Sequence, residues 1–413
     1  MEISTVVTYI VTFLAIYVQV FFLVTFLENR RKLVYRTGSL ELPEYPTVTV
    51  IVPCWNEEKT IHRTIESLLN LDYPKNKLEI FLIDDGSTDS TWQVMQEFVS
   101  YPQIKVFHKE NGGKHTAMNM GIELSTSDLV TCLDADSFVD AHALKRIVTY
   151  FHKDPDTMAV APSIIVYNPQ NIIQTIQKIE YDMAVYIKKM LGLNGGIHVA
   201  PGPFSTYRRE IFQTIGMFRK AHNTEDMEIA YRMQKFHMKI EQCNDAYVYT
   251  VSPNSIPKLY KQRLRWIHGF IRNTVDYRRV LFNPKYGTFA IFTVPSGIIS
   301  IAAAVFLFGS VIVRLVERIY NKVIEIRTVG FHMSIPSFQF DWFFVNTHVV
   351  MFLLVFLYGL VVTAILIGTK MAYGKAKFPR HIVTYMVVYS IIAPFWLMHA
   401  MYKAVTRKAP AWR

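Results

Sequence analysis

The sequence predicts a doubly wound α/β domain joined to α-helical transmembrane segments. From residue 47 onwards, short apolar runs alternate with helical stretches, which is the signature of a sheet with helices on both faces. Hydrophobic residues make up 51% of the 413 residues and aromatic residues 14%, more than an ordinary soluble enzyme contains. Several apolar runs are also long enough to cross a bilayer. We therefore expect one large α/β domain attached to a membrane portion.

Cysteine use and charge narrow the class of protein further. Cys54, Cys132 and Cys243 are the only cysteines, and their wide spacing indicates neither a disulfide framework nor a thiolate metal site. The formal net charge is +11. Because the basic residues cluster beside apolar segments and not among stacking aromatic residues, they fit anionic lipid headgroups and a diphosphate substrate, not nucleic acid.

The first segment, residues 1–28, predicts a transmembrane helix. Its run from 3 to 27 is almost uncharged, and it has neither the basic start nor the small-residue cleavage site of a signal peptide, so we expect an anchor. Basic residues follow directly, so the positive-inside rule places the N-terminus outside and the next domain in the cytosol. These residues are Arg30, Arg31, Lys32 and Arg36.

The α/β domain is predicted to span residues 45–252 and to begin with a buried strand. Residues 47–52 form an apolar run that is typical of such a strand. Glu57 and Glu58 follow it, and we expect this acidic pair to begin a helix, because acids stabilise helix N-termini. A second apolar run at residues 78–83 predicts the neighbouring strand.

Three polar loops follow strand ends in this domain. Asp85 lies after the second strand, where it can hold a ligand or only cap the next helix. Lys114 follows two glycines and precedes a helix, which suits a phosphate, although the same residues also make a simple turn. Asp134 and Asp136 end an apolar run, and paired carboxylates there suit Mg²⁺ or Mn²⁺ held jointly with substrate phosphates, while a solvated turn is the alternative. Because parallel strands end at one sheet edge, we expect these loops to converge.

Residues 253–286 predict amphipathic helices on the membrane surface. An apolar stripe runs among basic residues there, as in a helix that lies on anionic lipid. Gln262, Arg265 and Trp266 share a face of this helix. They offer an amide, a guanidinium for a pyrophosphate and an indole on which a sugar ring can stack. The stripe consists of Leu264, Ile267, Ile271 and Val275, and the basic residues are Lys261, Arg263, Arg272, Arg278 and Arg279.

Residues 287–405 predict three further transmembrane helices, at about 289–313, 342–368 and 382–401. Alternating orientation puts the basic loop between the last two inside, as the positive-inside rule requires. It puts the basic C-terminal tail outside. Either the tail lies outside despite its charge, or the last segment, interrupted near Pro394, re-enters and does not span. We expect a multi-pass protein of the cell membrane with its α/β domain in the cytosol.

The ordered motifs resemble those of family 2 glycosyltransferases of the GT-A fold. The first strand is followed by Pro-x-x-Asn-Glu at residues 53–57, the second by Asp-Asp-Gly at 84–86, and a later one by Asp-x-Asp at 134–136. Gln-x-x-Arg-Trp at 262–266 is typical of the membrane-bound, mostly processive members. The chain looks most like bacterial poly-β-1,6-N-acetylglucosamine synthases, with hyaluronan, chitin and cellulose synthases as relatives.

This resemblance implies roles for the candidate site residues. Asp85 and Asp134 would contact the uridine and ribose of a UDP-sugar, and Asp136 would ligate Mg²⁺ or Mn²⁺ on the diphosphate. Glu225 and Asp226 match the Thr-Glu-Asp motif of catalytic residues, with Asp226 as the base that takes the acceptor proton. From the residues alone, the same two acids can simply stabilise a helix start. The substrate-binding set is completed by Lys114, Thr224, Gln262, Arg265 and Trp266.

The implied activity is inverting polymerisation of a UDP-sugar, with UDP-GlcNAc as the expected donor, into a β-linked polysaccharide that the helices export. Four spans are few for a channel, so a small membrane subunit or a second copy of the chain can complete it.

Two alternative functions stay open. A non-processive synthase similar to ceramide glucosyltransferases would add one sugar to a lipid acceptor, and a non-catalytic nucleotide-sensing scaffold would have lost one of the motif carboxylates, all of which are present.

Overall fold

The computed structural model describes residues 3–31, 33, 41–330 and 349–407, and a mixed eight-stranded sheet forms the centre of its α/β domain. The strands are β1 (Val48–Cys54), β2 (Leu78–Asp85), β3 (Ile104–Lys109), β4 (Leu129–Cys132), β5 (Ser137–Val139), β6 (Thr157–Val166), β7 (Ser205–Arg208) and β8 (Lys239–Thr250). Their order in the sheet is β3-β2-β1-β4-β7-β6-β8-β5.

Helices cover both faces of this sheet and continue beyond it. Those of the α/β domain are α2 (Ile61–Leu69), α3 (Thr91–Gln96), α4 (Lys114–Leu124), α5 (Ala143–Lys153), α6 (Ile172–Leu193), α7 (Ile211–Ile215) and α8 (Glu225–Lys235). Before and after the domain lie α1 (Ile3–Asn29), α9 (Ile256–Asp276), α10 (Val294–Val329), α11 (Val349–Tyr373) and α12 (Ile382–Val405).

The central strands β1 to β4 are parallel, and every residue of β1 is buried. Alternate residues of β1 belong to two separate hydrophobic cores, since Ile51 packs on one face of the sheet and Val50 and Val52 on the other. A parallel strand that is covered on both faces reads as a continuous apolar run, which is why the sequence revealed it. The predicted doubly wound α/β arrangement is confirmed.

The predicted start of the first helix of the domain is wrong. Glu57 and Glu58 precede α2 and lie in a turn that packs against the loop before α3. The Glu57 N–H donates to Thr91 Oγ1 at 2.7 Å, and the Glu58 N–H donates to Asp89 Oδ2 at 3.3 Å. The Glu57 carbonyl also accepts from the Thr60 and Ile61 N–H groups, each at 3.0 Å. The turn is therefore held by local and tertiary hydrogen bonds together, and local charge patterning does not reveal the tertiary ones.

Most of the predicted surface segment, 253–286, is the single helix α9, which is followed by short 3₁₀ turns. Arg263 does not belong to the exposed basic flank of this helix, as we had expected from spacing. Its side chain is buried, only 4% of the residue being exposed, because α6 and α12 pack over that side of α9. The prediction of its environment is therefore corrected.

Four helices within the described residues are long and apolar enough to cross a membrane: α1, α10 with the turn before it, α11 and α12. α10 continues past its predicted end near residue 313, because no glycine or proline lies between residue 313 and Gly330, which has φ +84°. α12 runs without a break through Pro394, so the structure has no re-entrant turn there. Residues 342–348, the basic residues Lys32 and Arg36, and the end of the tail lie outside the described residues.

A close approach of two backbones joins α11 to the α/β domain. Gly368 faces α6 at a point where a Cβ atom would overlap the Asp182 carbonyl group. Nearby, the Tyr373 hydroxyl donates to Asp182 Oδ1 at 2.8 Å, and Lys178 forms a 2.8 Å ion pair with Asp182 Oδ2. The contact is both tight and polar, so it fixes the position of α11 against α6.

We expect Gly368→Ala to destabilise the protein by about 1–3 kcal/mol, because the added methyl group has to displace the α6 backbone. Thermal unfolding of the purified protein in detergent measures this loss. Gly359→Ala is the matched control in the same helix, since no atom lies within 4 Å of its Cβ position. Equal unfolding temperatures for the two variants would contradict the described packing of α11.

Candidate active site

Lys114 lies at the centre of the candidate site, at the carboxyl edge of the sheet. Its Nζ lies 2.6 Å from Asp134 Oδ1 and 3.1 Å from Glu225 Oε1. Lys114 begins α4, Asp134 follows β4 and Glu225 begins α8, so three segments that are distant in sequence meet at one ammonium group. The convergence predicted for Lys114 and the Asp-x-Asp loop is therefore confirmed by direct contact.

Opposite charges stabilise the ionised forms of Lys114 and Glu225. Burial alone would lower the pKa of Lys114, but the Asp134 and Glu225 carboxylates outweigh it and raise the pKa well above its usual value. Burial would likewise raise the pKa of Glu225, whereas the Lys114 ammonium lowers it. Lys114 and Glu225 therefore carry their charges at neutral pH.

The backbone of a proline-rich loop covers the cluster. A Cβ atom on Gly202 would lie 2.7 Å from Lys114 Nζ and 3.2 Å from Asp134 Oδ1, so a side chain at this position would displace the Lys114 ammonium group. The same loop contacts the Thr-Glu-Asp motif, because the Ala200 N–H donates to the Asp226 carbonyl oxygen at 3.2 Å. The loop thus forms one wall of the site.

Asp226 stands beside Glu225 in a different electrostatic environment. Burial and the neighbouring Glu225 charge raise the pKa of Asp226, although Lys114 and Arg265 oppose this shift. The pKa values of the two adjacent carboxyl groups are thus moved in opposite directions. A carboxylate with a raised pKa beside one that stays ionised is the arrangement from which acid and base roles are assigned.

Asp136 occupies the open side of the cleft, with its side chain exposed. Desolvation by the surrounding protein, together with the charges of Asp134 and Glu57, raises the pKa of Asp136 to about 6. Its described hydrogen bond is with the Ser137 hydroxyl, at 3.1 Å. Among the described residues, no group of three His, Cys, Asp or Glu side chains is placed to hold a metal ion alone.

Asp85 is part of a neighbouring network. It is buried, and its Oδ1 lies 2.6 Å from Lys109 Nζ and accepts from the Gly112 N–H at 3.0 Å. Its Oδ2 accepts from the Gly113 N–H at 2.8 Å. Both carboxylate oxygens thus hold the loop that leads to Lys114. Sequence reasoning missed Lys109, although the register of β2 with β3 pairs it with Asp85.

Two side chains of α9, those of Asn273 and Arg265, hydrogen-bond to the segment that carries the Thr-Glu-Asp motif. The Thr224 hydroxyl donates to the Ala221 carbonyl at 2.9 Å and accepts from Asn273 at 3.0 Å, so in the structure it supports packing. Its substrate contact stays a prediction. Arg265 donates to the Asn223 carbonyl at 3.0 Å, and its charge acts on both Glu225 and Asp226.

Gln262 and Trp266 lie on α9 beside Arg265 in sequence. Gln262 Oε1 is buried and has no hydrogen-bond partner in the described part of the chain. The Trp266 ring is half-buried and is covered by the Arg263 guanidinium, 4.3 Å from its centroid. Five of the predicted residues therefore converge closely, and the others lie around them. The five are Lys114, Asp134, Glu225, Asp226 and Arg265.

Comparison with known families fits this arrangement. The sequence model of glycosyl transferase family 2 matches residues 49–216, which run from β1 to the end of α7. Residues 49–216 are a family 2 glycosyltransferase domain. The matched region contains Asp85, Lys114, Asp134 and Asp136, whereas the Thr-Glu-Asp motif and α9 follow it.

Relatives of the family 2 domain are named as polysaccharide synthases. The chain is 32% identical over 224 residues to the poly-beta-1,6-N-acetyl-D-glucosamine synthase of Staphylococcus epidermidis, an alignment that covers 54% of each chain. It is 31% identical over 233 residues to the synthase of the same name from Staphylococcus aureus strain COL, which covers 56% of each. The chain thus spans about half the length of the curated relatives it matches.

The whole arrangement has a counterpart among solved structures. The mannosyltransferase PcManGT from Pyrobaculum calidifontis, solved with GDP-Man and Mn²⁺, superposes with a TM-score of 0.59 and 16% identity, over 96% of this chain and 99% of that one. This likeness concerns the fold. Together with the family match, it shows a GT-A domain combined with the four candidate transmembrane helices.

Proposed function

We propose that this protein is an inverting membrane glycosyltransferase that polymerises UDP-GlcNAc into a β-linked polysaccharide. The observation that carries the proposal is the contact of Lys114 with both Asp134 and Glu225, because it joins the Asp-x-Asp and Thr-Glu-Asp motifs in one cleft. The names of the staphylococcal relatives support the choice of sugar and of a polymeric product.

The donor is proposed to bind along the sheet edge. Lys114 and Arg265 supply positive charge for the diphosphate, and Arg265 adds a planar guanidinium that suits phosphate oxygens. Asp85 and Asp134 are proposed to contact the uridine and the ribose of the donor, and Asp85 also holds the glycine loop before Lys114. Gln262, on the same helix as Arg265, is proposed to contribute its side-chain amide to the donor site.

Asp136 fits the role of a ligand for Mg²⁺ or Mn²⁺. Its carboxylate is exposed in the cleft, and nearby acidic charge disfavours its ionisation, which a bound cation would relieve. Because the described residues hold no complete ligand set, the diphosphate and water would supply the remaining oxygens, as is usual for Mg²⁺. When bound, the cation neutralises charge on the departing diphosphate.

The reaction then follows from the positions of the acids. Asp226 takes the proton of the acceptor hydroxyl while that oxygen attacks the anomeric carbon of the donor. The bond from this carbon to the UDP oxygen breaks at the same time, and UDP leaves with the electron pair. Attack opposite the leaving group turns an α-linked donor into a β-linked product. Glu225 holds Lys114 in place and so supports the donor site.

The four apolar helices are proposed to anchor the catalytic domain on the cytosolic side of the cell membrane and to pass the polymer outwards. The proposed contacts are therefore with the UDP-sugar, the growing glycan and membrane lipids. A small membrane subunit or a second copy of the chain would complete a channel, because four helices enclose little space.

A metal prediction follows from the position of Asp136. We expect turnover to require Mg²⁺ or Mn²⁺ and Asp136→Asn to abolish it while the protein still folds, because the residue is exposed and an asparagine oxygen can still accept the hydrogen bond of the Ser137 hydroxyl. UDP release with and without a chelator, and thermal unfolding of the variant, measure both effects. Full activity in excess chelator would remove the metal from the mechanism.

The role of Asp226 is tested separately. Asp226→Asn should retain UDP binding but lose at least about 10²-fold in rate at saturating donor, which is the usual scale for loss of a general base. Direct binding of UDP and steady-state UDP release distinguish these quantities. A loss of UDP affinity with an unchanged rate would instead assign Asp226 to the donor site.

The proposed polymerase activity is tested by incubating the purified membrane protein with single UDP-sugars, scoring UDP release and resolving products by length. A wild-type product of one sugar on a lipid would favour the glycolipid alternative.

We expect Trp266→Ala to reduce polymer formation more than hydrolysis of the UDP-sugar by water, because stacking on a sugar ring places the acceptor and does not stabilise the leaving group. Equal loss of both activities in this variant would remove Trp266 from the acceptor site.

A further inference from the structure

Arg263 is the buried charged residue of the Gln-x-x-Arg-Trp segment, and neither the motif nor the proposed mechanism uses it. Its guanidinium carbon lies 4.3 Å from the centroid of the Trp266 ring and 6.0 Å from that of Tyr181. Its Nη2 donates to Glu180 Oε2 at 2.6 Å. The Nε and Nη1 atoms are buried and have no hydrogen-bond partner among the described residues.

The cluster continues into the membrane portion. Glu180 Oε2, which binds Arg263, also accepts from the Tyr389 hydroxyl at 2.5 Å. Glu180 belongs to α6, Arg263 to α9 and Tyr389 to α12, so three helices meet at one carboxylate. The cluster therefore links α9, which carries Trp266, to the last membrane helix.

We infer that Arg263 is a positioning residue that fixes the Trp266 indole for the acceptor sugar, and that Glu180 and Tyr389 make α12 part of this support. The inference rests on the proposed function and deepens it, because it assigns residues to the placement of a carbohydrate acceptor. Arg263 does not touch the acceptor itself, since its unpaired nitrogen atoms are inaccessible.

Physical chemistry favours positioning over stability as the reason for this arrangement. A buried arginine with incomplete hydrogen bonding contributes little to stability compared with apolar residues of similar volume. A planar guanidinium over an indole, in contrast, restricts the tilt of the ring through cation–π attraction. Lysine keeps the charge but lacks this planar contact and the fixed direction toward the carboxylate.

A double-mutant cycle tests whether Arg263 acts through Trp266. We expect Arg263→Lys to raise the KM for a soluble β-linked N-acetylglucosamine oligosaccharide about tenfold, the scale of a lost ring contact, without changing the rate of UDP-GlcNAc hydrolysis by water. In the Trp266→Ala background the same substitution should add nothing. An equal effect in both backgrounds, or an equal fall in hydrolysis, would overturn the inference.

A second pair of variants, each of which removes one hydroxyl group, tests whether α12 supports the Trp266 ring. Tyr389→Phe removes only the hydroxyl that binds Glu180, so it should raise the acceptor KM severalfold and shorten the polymer. Tyr402→Phe, an exposed tyrosine on the same helix, is the matched control and should match the wild type. Wild-type behaviour of Tyr389→Phe would overturn the role of α12. If the wild type released UDP from no UDP-sugar, the proposed function would fall, and this inference with it.

Discussion

The contact of Lys114 with two carboxylates is the interaction on which the site depends. Four carboxyl groups, those of Asp134, Asp136, Glu225 and Asp226, share one cleft, and like charges at such distances repel strongly unless cations are interspersed. Lys114 neutralises the inner part of this cluster, while Arg265 approaches from α9. The sheet edge, the start of α8 and α9 can therefore close on one another without expelling their acidic side chains.

This electrostatic arrangement also separates the two acids that are adjacent in sequence. Glu225 lies against the ammonium group and has a lowered pKa, whereas Asp226 lies further from it and has a raised one. A proton acceptor works best when its pKa approaches the working pH. The raised pKa of Asp226, which burial and the Glu225 charge produce, supports the proposal that Asp226 is the base.

The positions of site residues could be predicted from sequence where those residues directly follow the end of a strand. β1 pairs with β2 so that Cys54 lies opposite Asp84, which brings the loops after both strands to one edge whatever their side chains are. The environments of Asp85 and Arg263 could not be predicted in this way. Lys109 contacts Asp85 from the neighbouring strand, and Arg263 is buried because α6 and α12 cover α9. A contact with another strand or helix leaves no periodic pattern in the sequence of a single helix or strand.

α6 joins the catalytic domain to the membrane helices through two polar contacts that are nearly adjacent in sequence. Glu180 binds Tyr389 of α12, and Asp182 binds Tyr373 of α11, while the body of α6 packs against the sheet. Asp182 is buried and Glu180 is partly exposed, so a displacement of either membrane helix would remove a phenol partner from a carboxylate, at the greater cost for Asp182. The positions of α11 and α12 are therefore coupled to the helix that carries Tyr181 and, through Arg263, to the Trp266 ring at the cleft wall.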